Sequence, residues 1–147
     1  LQSWGRKDNV IRVLPACPEV WPDLAFHKLR AQGAFLVSAK RQEGETQFVY
    51  IESLAGKACR VITDIPRPQI AINGMPARGD QLSKNPDGSI SLALKKGDHA
   101  ILTAKPLFEL SQEELTISPI PVPADQQNLF GFSNKTQRLP GHGFYAR

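Results

Sequence analysis

The sequence has few cysteines, few aromatic residues and no long apolar segment. Its only two cysteines, Cys17 and Cys59, stand in no CxxC or Cys/His spacing, so a metal site has little support. We interpret both as small buried hydrophobic residues rather than a disulfide, which leaves the cellular compartment open. No segment approaches the ~20 apolar residues of a membrane span. The sequence therefore predicts no metal or other cofactor and no membrane contact.

The beginning of the chain also has no recognisable leader. It starts at Leu1 without a methionine, a charged region or an apolar region of a signal peptide. We therefore expect the sequence to be a piece of a longer protein.

The basic charge is present but not concentrated. The formal net charge is +4, yet the densest basic groups are pairs, at Arg6-Lys7, Lys40-Arg41 and Lys95-Lys96. Nucleic-acid recognition usually needs a basic stripe or patch. Nucleic acid is therefore not an expected partner.

Proline content and short alternating segments favour an all-β fold. The sequence has 12 prolines, which makes long helices improbable where they cluster. Apolar residues at Phe35, Val37 and Ala39 alternate with residues of the opposite face, as in a strand with one buried side. Similar short segments occur at residues 10–14, 46–54, 57–63, 69–72, 90–94 and 99–104. About seven strands separated by turns predict an antiparallel β-sandwich.

Two segments depart from this pattern. Residues 24–32 are predicted to form the one short helix, with Asp23 as its N-cap and Gly33 as its end. Beyond Lys105 the chain is proline-rich and irregular, with a capped helical turn expected at residues 111–114. We predict a sandwich domain at residues 1–105, in which residues 1–9 end a preceding linker or helix. Residues 106–147 then form a C-terminal strap or tail.

No arrangement of residues predicts catalysis by this chain. Hydrolysis of a glycosidic bond needs two carboxyl groups held on opposite sides of the bond. The acids here lie mostly in turns, where we expect water to keep their pKa values ordinary: Glu43, Glu45, Asp80, Asp87 and Asp98. The histidines are far apart in sequence, and no serine or cysteine nucleophile motif accompanies them: His27, His99 and His142.

The tryptophans suggest packing more than ligand binding. Trp4 and Trp21 have ring faces that suit the apolar side of a sugar. Pro18 and Pro22, however, restrict the loop around Trp21, which favours a packing anchor. We further expect Leu1, Trp4 and part of residues 124–147 to cover a face that meets another domain, because they have no periodic apolar partners.

The N-terminal third resembles the end of the family 95 glycoside hydrolases, the α-L-fucosidase family. The resemblance covers about residues 1–62 and rests on the segments at residues 1–3, 9–23, 29–37 and, more weakly, 53–61. In that family such a run leaves an (α/α)6 barrel and enters a C-terminal β-sandwich. The sequence departs from the family in three places, since similar sequences tend to have glycine near Lys28, arginine at Gln32 and a second glycine at Ala34.

The resemblance implies a multidomain, usually exported bacterial enzyme whose acid and base lie in the barrel. No barrel residue is present, so none of the family's catalytic residues has a counterpart here. The expected partner is the catalytic barrel of the parent chain. Residues with a structural or interface role are expected at Trp4, Pro15, Trp21, Leu29 and Phe35.

An independent enzyme is disfavoured, because the sequence lacks an arrangement of catalytic residues. Two other functions remain open. The first is a structural domain that supports a catalytic barrel, and the second is a carbohydrate-binding module that holds glycan. A binding module needs several exposed aromatic residues on one strand face or loop rim. Aromatic residues are only 7% of this sequence, and we expect most of them in the core, which favours the structural domain.

Overall fold

The structure is a computed structural model that describes residues 1–3 and 9–117. These residues form two β-sheets packed around one apolar core, so the predicted β-sandwich is confirmed. The described ranges contain ten strands, β1 to β10: Val10–Arg12, Leu24–Ala31, Phe35–Gln42, Glu45–Ser53, Cys59–Ile62, Gln69–Ile72, Met75–Pro76, Leu82–Lys84, Ile90–Leu92 and His99–Thr103. A 3-10 helix follows at Leu107–Glu109. No helix in these ranges has the length and hydropathy that a membrane crossing requires.

The smaller sheet has the strand order β1-β5-β9-β8, and the larger has the order β2-β3-β4-β10-β6-β7. All neighbouring strands are antiparallel except β1 and β5, where Val10 pairs with Arg60 in parallel register. The sandwich is therefore antiparallel, as predicted, apart from this one pair at its edge. Strands β2 to β4 lie between β1 and β5 in sequence and belong to the other sheet. This long crossover lets β5 return beside β1 in the same direction.

The core is formed by the strand faces that the period-two alternation of apolar residues predicts to be buried. Phe35, Val37 and Ala39 of β3 are buried, as predicted, and Phe35 is only 1% exposed. They meet the inward side chains of the other strands: Ile11, Val49, Ile51, Cys59, Val61, Ile72, Ile90, Leu92, Ala100 and Leu102. Each large apolar side chain buried here contributes about 1.5–3 kcal/mol. Both sheets supply these residues, so the core holds the two layers together.

The predicted helix at residues 24–32 is wrong, because this segment is strand β2 at the edge of the larger sheet. The pairing of β2 with β3 shifts between Phe26 and Leu29, which marks a β-bulge. Lys28 within the bulge has a φ of 51°. The extra residue breaks the period-two alternation, so Phe26 and Leu29 have a spacing that imitates one face of a helix.

Tight turns join several of the strands. Glu43 and Gly44 between β3 and β4 both have positive φ, 53° and 82°, as in the hairpin turns that match strand twist. Asn73 and Gly74 join β6 to β7 in the same way, with φ of 52° and 80°. At Gly56 a Cβ atom would lie 2.9 Å from the backbone nitrogen of Lys96, so that corner requires glycine.

Residues 105–117 lie against the larger sheet on the face that points away from the core, which we call the outer face. The Nζ atom of Lys40 on β3 lies 3.4 Å and 3.5 Å from the backbone oxygens of Glu113 and Glu114. The predicted capped turn is confirmed. The Ser111 backbone N–H donates to the Glu114 carboxylate at 2.7 Å, and the Glu114 N–H donates to the Ser111 hydroxyl at 3.3 Å.

Residues up to Ile117 belong to one compact unit with the sandwich. The proposed division after residue 105 stays a prediction. Trp4, in residues 4–8, and residues 118–147, which hold most of the predicted tail, lie outside the described residues.

Candidate functional site

The acids in two turns are held as carboxylates. Asp98 accepts hydrogen bonds from the Asn73 side-chain amide at 2.9 Å and the Lys95 backbone N–H at 2.8 Å, which lower its pKa. Asp87 accepts from the Ser89 hydroxyl at 2.6 Å and the Ser89 N–H at 3.1 Å, and these bonds lower its pKa. The expectation of ordinary pKa values is therefore wrong for this pair. Both shifts run opposite to the raised pKa that a general acid needs.

The cysteines differ from each other. Burial raises the pKa of Cys59 to about 12, so its thiol is a protonated core group. Cys17 is only partly buried, which corrects the expectation of two buried cysteines. Both are free thiols. Within residues 1–3 and 9–117, no group of three or more His, Cys, Asp or Glu side chains is arranged to hold a metal ion.

Residues 14–23, which we call the proline loop, lead from β1 to β2 and are fixed by hydrogen bonds. The Trp21 N–H donates to the Pro18 carbonyl at 3.0 Å, which closes a turn inside the loop. The Gly44 N–H donates to the Pro22 carbonyl at 2.9 Å, and the Glu43 N–H donates to the Asp23 carboxylate at 2.9 Å. Asp23 therefore ties the loop to the β3–β4 turn instead of capping a helix.

The proline loop presents apolar side chains to solvent. Val20 is 80% exposed and Trp21 is 52% exposed, although their backbone is held in place. The prolines beside them are exposed as well: Pro15, Pro18 and Pro22. Neighbouring apolar side chains left uncovered in an ordered loop are typical of an interaction surface.

The five residues predicted to have structural or interface roles have different environments. Phe35 is a core residue, whereas Pro15 and Trp21 lie in the proline loop. Leu29 is on β2 and is 44% exposed, because β2 is an edge strand. Trp4 lies outside the described residues. Trp21 is therefore not buried in its own domain, and its predicted role as a packing anchor stays a prediction that needs a partner surface.

The outer face of the larger sheet holds polar and aromatic residues that the sequence analysis did not connect. The rings of Tyr50 and His99 stack with centroids 5.6 Å apart and an interplanar angle of 26°. The Oγ atom of Ser38, opposite Tyr50 on β3, lies 3.4 Å from Nδ1 of His27. His27 and His99, far apart in sequence, thus both lie close to the Ser38–Tyr50 pair. Successive side chains of a strand point to opposite faces of the sheet, so the residues next to the buried positions of β3 and β4 belong to this face. This alternation is the sequence signal that identifies it.

Comparison with known protein families identifies the domain. A family model described as "Glycoside hydrolase family 95, C-terminal domain" matches residues 5–102. The matched range contains the proline loop and extends into β10. No curated protein matches the chain.

Proposed function

The chain belongs to the family of C-terminal domains of family 95 glycoside hydrolases, and we propose that it is a non-catalytic domain that packs against the catalytic domain of a longer polypeptide. In support of the non-catalytic part, neither Asp87 nor Asp98 suits the role of a glycosidase general acid, because hydrogen bonds lower the pKa of both. The matched range extends from before β1 into β10, which supports this role for the whole sandwich.

The observation that carries the packing role is the proline loop. Three prolines and the hydrogen bonds to Glu43 and Gly44 restrict its backbone, so little conformational entropy remains to be lost when a partner covers it. Val20 and Trp21 project from it as exposed apolar side chains. A rigid loop with an exposed aromatic residue is suited to act as an interface anchor. We propose that the catalytic domain docks on this loop surface.

Amide hydrogen exchange tests this surface directly. In the full-length protein we expect the amides of Ala16, Val20 and Trp21 to exchange more slowly than in the isolated chain of residues 1–147. The matched control is the exposed turn at Asn73 and Gly74, whose exchange should not change. Equal exchange of the proline loop in the two proteins contradicts docking through this loop.

The activity, origin and barrel architecture of the parent enzyme are proposed from the sequence resemblance at residues 1–62. The parent enzyme is proposed to be α-L-fucosidase-like, bacterial and exported, with its acid and base in an (α/α)6 barrel that packs on this domain. Residues 1–105 form the sandwich domain in this proposal, and residues 106–147 form the strap or tail. Trp4 and part of residues 124–147 are proposed to extend the contact with the barrel, whereas Leu1 packs against the core of the sandwich itself.

A further inference from the structure

A groove on the outer face is formed by a small residue between larger ones. Ser38 of β3 pairs directly with Tyr50 of β4, and its side chain is only 3% exposed. The bulge of β2 rises on the other side, where the Lys28 N–H donates to the Ser38 hydroxyl at 2.9 Å. Leu115 and Ile117 also line the space. The resulting groove has a volume of about 450 Å³, within the range of small-ligand sites.

The groove combines an aromatic ring with hydrogen-bonding groups. Tyr50 lines the groove. The ring of His99 lies outside the groove but stacks on the ring of Tyr50, which limits the orientation of Tyr50. Burial raises the pKa of Tyr50, and the charge of Glu52 adds to this, so its hydroxyl stays protonated and able to donate. His27 and Lys28 also line the groove. An apolar ring surface beside convergent donors and acceptors matches a pyranose ring with its hydroxyl groups.

In the described ranges, the charged residue that lines the groove is basic. Lys28 lines it, and Arg30 and Lys40 lie at outer-face positions of the neighbouring strands. No carboxylate lines the groove in the part of the chain that the structure describes. Acids also lie close to these cations: Glu52 on β4 is on the same face, and the carboxylate of Glu114 is near enough to Lys40 for that charge to help lower its pKa. A lysine in the lining with no described carboxylate beside it there favours an acidic ligand over a neutral one.

We propose that the groove between Ser38, Tyr50 and the β2 bulge binds one acidic sugar residue, a hexuronate of an oligosaccharide chain. Tyr50 contacts the apolar side of the sugar ring, and Lys28 pairs with its carboxylate. His27 and the Tyr50 hydroxyl supply hydrogen bonds to the ring hydroxyls. This binding activity is independent of docking through the proline loop, because the groove and the loop share no residue.

A second groove on the outer face provides a contrast. It is lined by Leu107 and Phe108 together with residues of β6, and it contains no charged side chain. Phe108 is strongly exposed and therefore offers an aromatic ring to a sugar as readily as Tyr50. If sugar binding needs the combination of ring, hydroxyl and cation, Phe108 should not contribute. Phe108→Ala is accordingly the matched control variant.

The test is a titration of the isolated chain, followed by NMR, with a trigalacturonate and with the neutral galactose trisaccharide. We expect the acidic sugar to shift the amide signals of Lys28, Ser38 and Tyr50 and to bind more tightly than the neutral one. Tyr50→Ala should weaken binding about tenfold, the size of one ring contact. Lys28→Met should weaken only uronate binding, by about fivefold, as expected for an exposed ion pair. Phe108→Ala should leave both affinities unchanged.

Further measurements keep the outcome clear. Tyr50→Phe retains the ring and its packing, so it separates the loss of the hydroxyl from any misfolding in Tyr50→Ala. Salt should weaken uronate binding, because the Lys28 contribution is screened. Three results would overturn the proposal: no shift with either sugar, equal affinity for both sugars, or shifts confined to residues outside the groove.

Discussion

Trp21 is the residue at which the docking role predicts the largest difference between the isolated domain and the assembled protein. About half of its side chain already contacts the domain, and 52% remains exposed. The replacement Trp21→Ala should therefore have two separate effects. One is on the stability of the isolated chain, and the other is on its affinity for the catalytic domain.

The size of each effect follows from the exposed fraction. A large aromatic side chain buries about 150–250 Å², so the 52% of Trp21 that is exposed corresponds to about 80–130 Å². At about 25 cal/mol per Å², covering this area contributes about 2–3 kcal/mol to docking, or roughly 30- to 150-fold in affinity. A fully buried tryptophan contributes about 3–5 kcal/mol to stability, so the half-buried Trp21 should contribute about 2 kcal/mol.

Two assays separate these effects. Urea unfolding of the isolated chain gives the change in stability, and calorimetric titration with the separately produced catalytic domain gives the change in affinity. Phe108→Ala, which removes an exposed aromatic residue outside the proline loop, should change the affinity less than threefold. The reasoning is refuted if Trp21→Ala leaves the affinity unchanged while the isolated chain loses 3–5 kcal/mol of stability, the loss of a fully buried anchor.

Three further predictions concern the sandwich itself. Phe35→Ala should lower the free energy of unfolding by about 3–5 kcal/mol in urea, because Phe35 is buried in the core. Since its folded pKa is lowered, Asp98 stabilises the fold above the ordinary aspartate pKa, and this contribution is lost as pH falls below about 4. Asp98→Asn should therefore reduce the loss of stability between pH 7 and pH 3 in urea unfolding, and an unchanged loss would contradict this. A thiol reagent at pH 8 should modify Cys17 in the folded protein and Cys59 only after unfolding, because burial raises the pKa of Cys59 to about 12. Rapid modification of both thiols in the folded protein would argue against this assignment.

The strand pattern was predictable where alternation is regular. Residues such as Val37 and Val61 lie in uninterrupted period-two segments, and both are buried as predicted. Strand β2 was missed because its bulge shifts the alternation by one residue, and a single sequence does not reveal a bulge. Strands β7 and β8 are too short to have a period, with two and three residues. The parallel pairing of β1 and β5 depends on which sheet each strand joins, which local pattern does not encode.

The surface was less predictable than the core. The prolines beside Trp21 correctly suggested a rigid loop, but rigidity does not decide whether a side chain points inward or outward. The outer-face groove depends on the pairing of Ser38 with Tyr50 and on the position of residues 105–117, which are tertiary features. The aromatic residues were expected mostly in the core. Trp21 and Phe108 are instead exposed, and Tyr50 is only partly buried.

Hydrolysis by the isolated chain is the most direct test of a domain without an active site. The purified chain is assayed against a panel of aryl glycosides that includes an aryl α-L-fucoside, with the full-length protein as the positive control. We expect turnover by the full-length protein and none by the chain, because a glycosidase needs one carboxyl group with a raised pKa and a second one fixed opposite. Turnover by the chain that disappears in Asp98→Asn would contradict this account.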